Sequence, residues 1–384
     1  MMKKYLHIIT SLDIGGAETM LLRLIKHKSN LVQSTTVISL TNNGKIGEAL
    51  EEIGVKVICL EIKSWSSVFK ALLKLKKIIQ NERPTIVHTW MYHANIFGGI
   101  AAYLAKSQNI IWSIRRSEFT RKESLSTFIV MKIGAMFSSI IPKSIVHVAE
   151  SGLKNHRKYG YKSNNTLVIP NGFDLEKLKY DQIARKKIRN ELNLNDEQIL
   201  IGCVGRFHLS KGYETLISSS VNVLKVHKNV KYLLIGRNLD KQNSILMKWI
   251  NKTGFSENFI MVGEKHNIPE YMSAMDVFCL SSITEGFPNV VGEAMASGLP
   301  CVATCVGDVK KITGNTAILV EPNNNELLSK GLNKILSMDS GKRKIMGSKG
   351  RRKIEKEYPI NLICEKYYNL YYLISSGENN YENI

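Results

Sequence analysis

Acidic side chains are in short supply in this chain: 33 Asp and Glu stand against 53 Lys and Arg, leaving a net charge of +20 and a pI near 9.5. Such a surface attracts phosphates, anionic lipid or nucleic acid. Proline is also scarce, with eight in 384 residues, and the 44% hydrophobic and 22% charged content excludes disordered, collagenous and low-complexity classes. The six cysteines, Cys59, Cys203, Cys279, Cys301, Cys305 and Cys364, form no CxxC pair and sit mostly in apolar runs. They read as buried reduced thiols. No run of 18 apolar residues exists, so nothing in the sequence spans a bilayer. The apolar start, Tyr5 to Ile9, is ended too early by Thr10, Ser11 and Asp13 for a signal peptide and reads as a first buried strand. A cytoplasmic protein is the expectation. Metal motifs are missing as well: there is no HExxH, no paired-cysteine zinc pattern and no DxD acid pair.

What is present is length and rhythm. At about 100–200 residues per domain, 384 residues suggest two domains. Short β-rich runs alternate with amphipathic stretches, which means βα units on parallel sheets. Strands are expected at Lys4–Thr10, Thr35–Leu40, Val55–Leu60, Thr85–Thr89, Ile110–Ile114 and Ser144–Val148, with helices between them such as Ala17–His27 and Val68–Ile79. After the turn signal Pro170-Asn171-Gly172, the charged segment Asp174–Asn195 has few large apolar residues and reads as an interdomain connection. The alternation restarts with strands Ile199–Val204, Lys231–Ile235, Phe259–Val262, Val277–Leu280 and Pro300–Ala303.

The expected fold class is therefore α/β, with two Rossmann-like doubly wound parallel-sheet domains facing a central cleft. Residues 1–175 form the first domain, 176–357 the second, and 358–384 a C-terminal helix that crosses back to the first. That last stretch carries Cys364, Tyr367, Tyr368, Leu370, Tyr371 and Ile374, and needs something large to pack on. Doubly wound sheets bind ligands at their strand carboxyl ends, so the informative residues are those just after predicted strands.

Three constellations stand there. Gly15-Gly16-Ala17-Glu18 follows the first strand, where paired glycines and a helix start suit either an anion or a tight turn. Gly205-Arg206 with Lys211-Gly212 follows the first strand of the second domain: Arg206 can fork onto two phosphate oxygens and Lys211 supplies a point charge. It is not a Walker loop. In the third, Glu285 and Glu293 lie eight positions apart around Gly286-Phe287-Pro288-Asn289-Val290. Carboxylates accept hydrogen bonds from sugar hydroxyls, and the amides at Asn289 and Val290 suit phosphate. The bland alternatives are a capping group and a residue complementing a helix dipole.

The sequence resembles the family 4 retaining glycosyltransferases of the two-Rossmann-domain (GT-B) fold. The resemblance is carried by Gly15-Gly16-Ala17-Glu18, Val168-Ile169-Pro170-Asn171-Gly172, Gly205-Arg206 with Lys211-Gly212, and the motif from Glu285 to Glu293 that ends in Ala294-Met295-Ala296-Ser297-Gly298-Leu299-Pro300. It implies that Arg206 and Lys211 bind the donor diphosphate with Gly16, Asn289 and Val290. Glu285 and Phe287 would meet the transferred sugar and Glu293 the ribose, while Glu264–Ile268 would border the base. Trp90 stands where relatives often carry an active-site histidine, so His93 is the candidate in its place and His88 the second choice. Arg115 and Arg116 could bind an acceptor phosphate or pair with Glu118.

The resemblance implies a retaining transfer from a nucleotide-diphosphate sugar, UDP-linked by expectation, to a hydroxyl of a glycan or lipid-linked acceptor in bacterial surface polysaccharide synthesis. No metal and no other cofactor is expected. Leu125, Phe128, Ile129, Met136, Phe137, Ile140 and Ile141 lie at helical spacing with Arg121, Lys122, Lys132 and Lys143 beside them. Such a stripe is either core or a face for the anionic inner surface of the cytoplasmic membrane. Two rivals remain at this stage. One is a sugar-nucleotide 2-epimerase of the same architecture. The other is a basic nucleic-acid-binding protein, although aromatic and basic residues are not interleaved on one face as nucleic acid would require.

Overall fold

The computed structural model describes residues 3–62, 65–117, 125–162 and 165–378. The chain divides into two compact units, 1–172 with 360–384 and 173–359. In unit 1, β1 (Tyr5–Ile9), β2 (Thr35–Ser39), β3 (Lys56–Cys59), β4 (Ile86–Trp90), β5 (Ile110–Ile114), β6 (Ser144–His147) and β7 (Thr166–Val168) form one parallel sheet of order β3-β2-β1-β4-β5-β6-β7. Strands β1, β2, β4, β5 and β6 are buried at every position. Burial on both faces is why these strands carry no alternating pattern. The helices between them are α1 (Gly16–His27), α2 (Gly44–Glu51), α3 (Trp65–Glu82), α4 (Tyr92–Leu104), α5 (Leu125–Phe137) and α6 (Glu150–Lys158). Helices α3, α4 and α5 share one face, with Leu75, Ile79, Ala101, Met131 and Ala135 packed on Leu6, Ile8 and Trp112.

In unit 2, β8 (Ile199–Val204), β9 (Val230–Ile235), β10 (Phe259–Met261), β11 (Val277–Leu280), β12 (Cys301–Thr304) and β13 (Ala317–Val320) form a parallel sheet of order β10-β9-β8-β11-β12-β13. Its helices are α7 (Gln182–Glu191), α8 (Tyr213–Val226), α9 (Ser244–Lys252), α10 (Ile268–Ala274), α11 (Asn289–Ala296), α12 (Val309–Thr313), α13 (Asn325–Leu336) and α14 (Ser340–Glu357). The segment expected as a connection is instead α7, an integral helix of unit 2. Asp181 caps it, accepting the amides of Ile183 at 2.8 Å and Ala184 at 3.0 Å. Arg185 and Arg189 then reach Asp276, just before β11, at 2.8 and 3.2 Å. Ion pairs do much of the packing here, so a count of large apolar residues misses it. Strand β13 was also unexpected; it is a short edge strand, half-buried throughout.

The last helix, α15 (Ile360–Ser376), follows unit 2 in sequence and belongs to unit 1. With α1 and α2 it covers the face opposite α3–α5, where Tyr367, Leu370 and Tyr371 join Leu21, Leu24, Tyr5 and Trp90 in one core. Tyr368 Oη donates to the Leu24 carbonyl at 3.0 Å. Among the described residues no helix is long and apolar enough to cross a membrane.

Strand order reverses between β1 and β4 in unit 1 and between β8 and β11 in unit 2. In an open parallel sheet the crevice for a ligand opens at that reversal, outside the strand carboxyl ends. A ligand of either unit would therefore meet the loops leaving these strands.

Candidate active site

In unit 2 the loops after β8 and β11 are stitched together. Ile283 N donates to Ser210 O at 2.8 Å, and Ser281 Oγ donates to Lys211 O at 2.9 Å. Gly212 has φ +62°, and a Cβ there would lie 2.0 Å from Ser281 O, so only glycine lets the loops approach this closely. That approach brings Lys211 Nζ to 2.6 Å from Glu285 Oε1, with Lys211 24% and Glu285 11% exposed. Ser282 Oγ donates to the same carboxylate oxygen at 2.7 Å. The loop after β12 braces the other side: Gly307, at φ +54°, faces Glu285 O and Gly286 O, and Asp308 N donates to Gly286 O at 3.0 Å.

The other predicted residues of unit 2 lie on the loops and helices that follow its strands. Arg206 directly follows β8 and is exposed; no carboxylate among the described residues pairs with it. The Lys211 side chain runs past Gly205, next to Arg206 in the chain, with its carbons 3.7 Å from the place of a Gly205 Cβ. Asn289 and Val290 form the first turn of α11 and are half-buried. First-turn amides have no acceptor within their own helix. Glu293, one turn further along α11, is half-buried. The Phe287 side chain is corrected: its ring is buried between Phe173, stacked at 6.1 Å, and Tyr358 at 5.9 Å, which leaves only its main chain to meet a sugar. Glu264 follows β10 and pairs with Arg237 at 3.5 Å on the surface.

In unit 1, Gly16 opens α1 after the extended Gly15, whose φ is −160°. Glu18 folds back over Gly15, with Oε2 2.3 Å from where a Gly15 Cβ would be. Burial raises its pKa, while the main-chain amides of Glu18 and Ala17 and the Arg115 cation oppose the rise. Across the reversal, Met91 follows β4 with φ +72°, an uncommon conformation for a non-glycine residue, and leads into α4. His93 lies in that first turn and is exposed; desolvation lowers its pKa.

His88 is corrected as well. It is fully buried, with Nδ1 2.6 Å from Tyr371 Oη, Nε2 2.7 Å from Ser113 Oγ, and its ring 4.4 Å from that of Trp90. Burial, then His7 and Arg115, hold its pKa well below the usual value, so it is a packed neutral histidine. Arg115 is likewise engaged: it donates to Tyr367 Oη at 3.0 Å and to Asn171 Oδ1, and lies over the Trp90 ring. It anchors the Pro170-Asn171-Gly172 turn to α15 and is no longer open to an acceptor phosphate. Arg116 is exposed, and Glu118 lies outside the described residues. Ser282 was not singled out from the sequence. Its position two residues after β11 is the signal that would have found it.

The sequence pattern described as "Glycosyltransferase Family 4" matches residues 14–177, and that described as "Glycosyl transferases group 1" matches residues 184–353. Between them they take in the loops at both strand reversals. The chain is a family 4 glycosyltransferase of the GT-B fold. This glycosyltransferase is 28% identical over 317 residues to the capsular polysaccharide biosynthesis glycosyltransferase CapM of Staphylococcus aureus, covering 79% of this chain and 81% of that protein. It is 24% identical over 278 residues to a UDP-Gal:alpha-D-GlcNAc-diphosphoundecaprenol alpha-1,3-galactosyltransferase of Escherichia coli, covering 71% and 70%. Among solved structures, Anabaena Alr3699/HepE in complex with UDP superposes with a TM-score of 0.84 at 19% identity, covering 96% of this chain and 99% of that one. In this glycosyltransferase Arg206 and Lys211 follow β8, and Glu285, Asn289, Val290 and Glu293 follow β11, the two strands at the reversal of unit 2.

Proposed function

We propose that this glycosyltransferase moves a hexosyl or N-acetylhexosaminyl unit, with retention at the anomeric carbon, from a UDP-linked donor to a hydroxyl of a glycan or lipid-linked acceptor. The setting is bacterial surface polysaccharide synthesis at the inner face of the cytoplasmic membrane. Capsular and undecaprenol-linked relatives and a UDP-bound structural neighbour support that setting. The observation that carries the donor reading is the Lys211–Glu285 contact of 2.6 Å at the strand reversal. A lysine held beside a carboxylate in a half-buried loop pair offers adjacent groups for a phosphate and for the hydroxyls of the sugar attached to it.

In this reading Arg206, Lys211 and the α11 amides of Asn289 and Val290 take the diphosphate, Glu285 the sugar, and Glu293 the ribose. In unit 1, Gly16 is read as a phosphate-meeting group and His93 as the catalytic histidine. The bond from the anomeric carbon to the phosphate oxygen breaks as the acceptor oxygen bonds to the same face of that carbon. The acceptor proton passes to the departing phosphate oxygen, so the protein needs no nucleophile. Charge on the leaving nucleoside diphosphate is met by protein cations and amides, with no divalent ion in the scheme.

Thermal-shift titration with UDP-, GDP- and ADP-sugars tests the reading. Wild type is expected to be stabilised by a UDP-sugar, and Lys211→Ala and Glu285→Ala to lose that shift and at least about a hundredfold of transfer while melting cooperatively without ligand. Full transfer by both variants would falsify the assignment of the donor site.

A further inference from the structure

The outer face of the α3–α5 layer carries large apolar side chains where a water-facing surface would carry polar ones. On α3, Ala71, Leu75 and Ile79 are buried in the core, while Phe69 (68% exposed) and Leu73 (50%) point the opposite way. Lys70, Lys74 and Lys77 are exposed beside them, without a carboxylate partner among the described residues. On α5, Met131 and Ala135 face the core, and Phe128, Ile129, Met136 (72%) and Ile140 (59%), just past its end, face outward. Lys132 lies 5.9 Å above the Phe128 ring. Between them, the last turn of α4 exposes Tyr103 and Leu104.

Charge on this layer has one sign. Across α3, α4 and α5 the only carboxylate is Glu82, and it is neutralised by Lys56 at 2.7 Å. The 125–141 stripe read from the sequence is thus one part of a wider face. Its Ile141 packs inward, Lys143 is held by the carbonyl of Ile374 at 2.9 Å, and Arg121 and Lys122 lie outside the described residues.

We infer that the outer face of α3, α4 and α5 is a docking surface for a bilayer of anionic lipid, with the apolar side chains entering the headgroup boundary and the lysines meeting the phosphates. Apolar surface flanked by cations, with no opposing carboxylate among the described residues of these helices other than the paired Glu82, fits a lipid interface better than a second copy of this basic chain, whose like charges would oppose pairing. The first turns of α3 and α5 start at the carboxyl-end edge of the sheet. Phe69, Phe128 and Ile129 therefore lie toward the edge at which His93 stands, where a lipid-linked acceptor would present its hydroxyl. The inference rests on the acceptor reading only for that last point.

Sedimentation with vesicles of phosphatidylcholine alone and with added phosphatidylglycerol tests the surface, with no donor or acceptor present. Wild type is expected to pellet with the anionic vesicles, less so at high salt. The pairs Phe69→Ser with Leu73→Ser, and Met136→Ser with Ile140→Ser, are each expected to weaken partitioning by about tenfold or more. Both pairs are exposed, and an unchanged melting temperature and UDP-sugar shift would show that fold and donor site are intact. Lys70→Gln with Lys74→Gln is expected to reduce binding and flatten its salt dependence. Wild type remaining in the supernatant overturns the inference. So does undiminished pelleting of the α3 pair, or a face whose substitution only converts a dimer to a monomer in size-exclusion chromatography. A failed nucleotide-sugar shift with intact vesicle binding would instead count against the donor reading alone.

Discussion

Gly212 lets the loops after β8 and β11 meet by having no side chain. At φ +62° it sits in the left-handed region, and a methyl group there would meet the Ser281 carbonyl at 2.0 Å. Gly212→Ala is expected to lower stability by about 1–2 kcal/mol or more, read from the urea midpoint, because conformational strain and backbone collision add. The same change should abolish the UDP-sugar thermal shift, since the loops that present Lys211 and Glu285 would part. At this scale the sequence was readable where a residue type is itself unusual, as with Arg206 and Lys211 after a strand. It was silent on Ser282, whose hydroxyl matters only because the turn brings it to 2.7 Å from Glu285. Phe287 was misread because a side chain's direction within a loop is set by what it packs on.

Among elements, α7 shows how ion pairs substitute for apolar packing. Asp276 accepts from Arg185 at 2.8 Å, from Arg189 at 3.2 Å and from the Leu200 amide at 2.8 Å. Arg189 is nearly fully buried. Removing the carboxylate leaves a buried guanidinium without its counter-charge, so Asp276→Ala is expected to cost about 3 kcal/mol in urea unfolding. Asp181→Ala, which only uncaps the helix, should cost about 1 kcal/mol in the same measurement. A periodic helix such as α1, expected at Ala17–His27 and found at Gly16–His27, was legible with its ends. Helix α7 was not, because the partner that makes its arginines into packing residues lies about ninety positions away.

At the level of the whole molecule, acid should act on unit 1. Four fully buried histidines, His7, His88, His147 and His156, all belong to it. Burial lowers the pKa of His7 to about 3 and of His156 to about 4, and holds His88 and His147 well below their usual value. A histidine with a depressed folded pKa binds more protons when unfolded, so stability is full above pH 6.5 and falls as pH drops toward the folded value. The loss is up to about 1.4 kcal/mol per pH unit for each histidine. The melting temperature is expected to fall steeply from pH 7 to pH 5, and His156→Gln or His7→Gln to reduce that slope. A flat profile would mean that these imidazoles are already hydrated.

By itself the sequence determined the class of fold and the placing of its motifs after strands, since buried parallel strands must be unbroken apolar runs and the residues that follow them must lie at the sheet's carboxyl edge. Only the tertiary structure decided which candidates are packed away and which stay exposed. Periodicity records that a side chain sits on an element's face, whereas its surroundings come from distant segments. Helix α15 turned His88 and Arg115 into packing groups in this way, and the way α3, α4 and α5 lie side by side made scattered apolar residues into one surface.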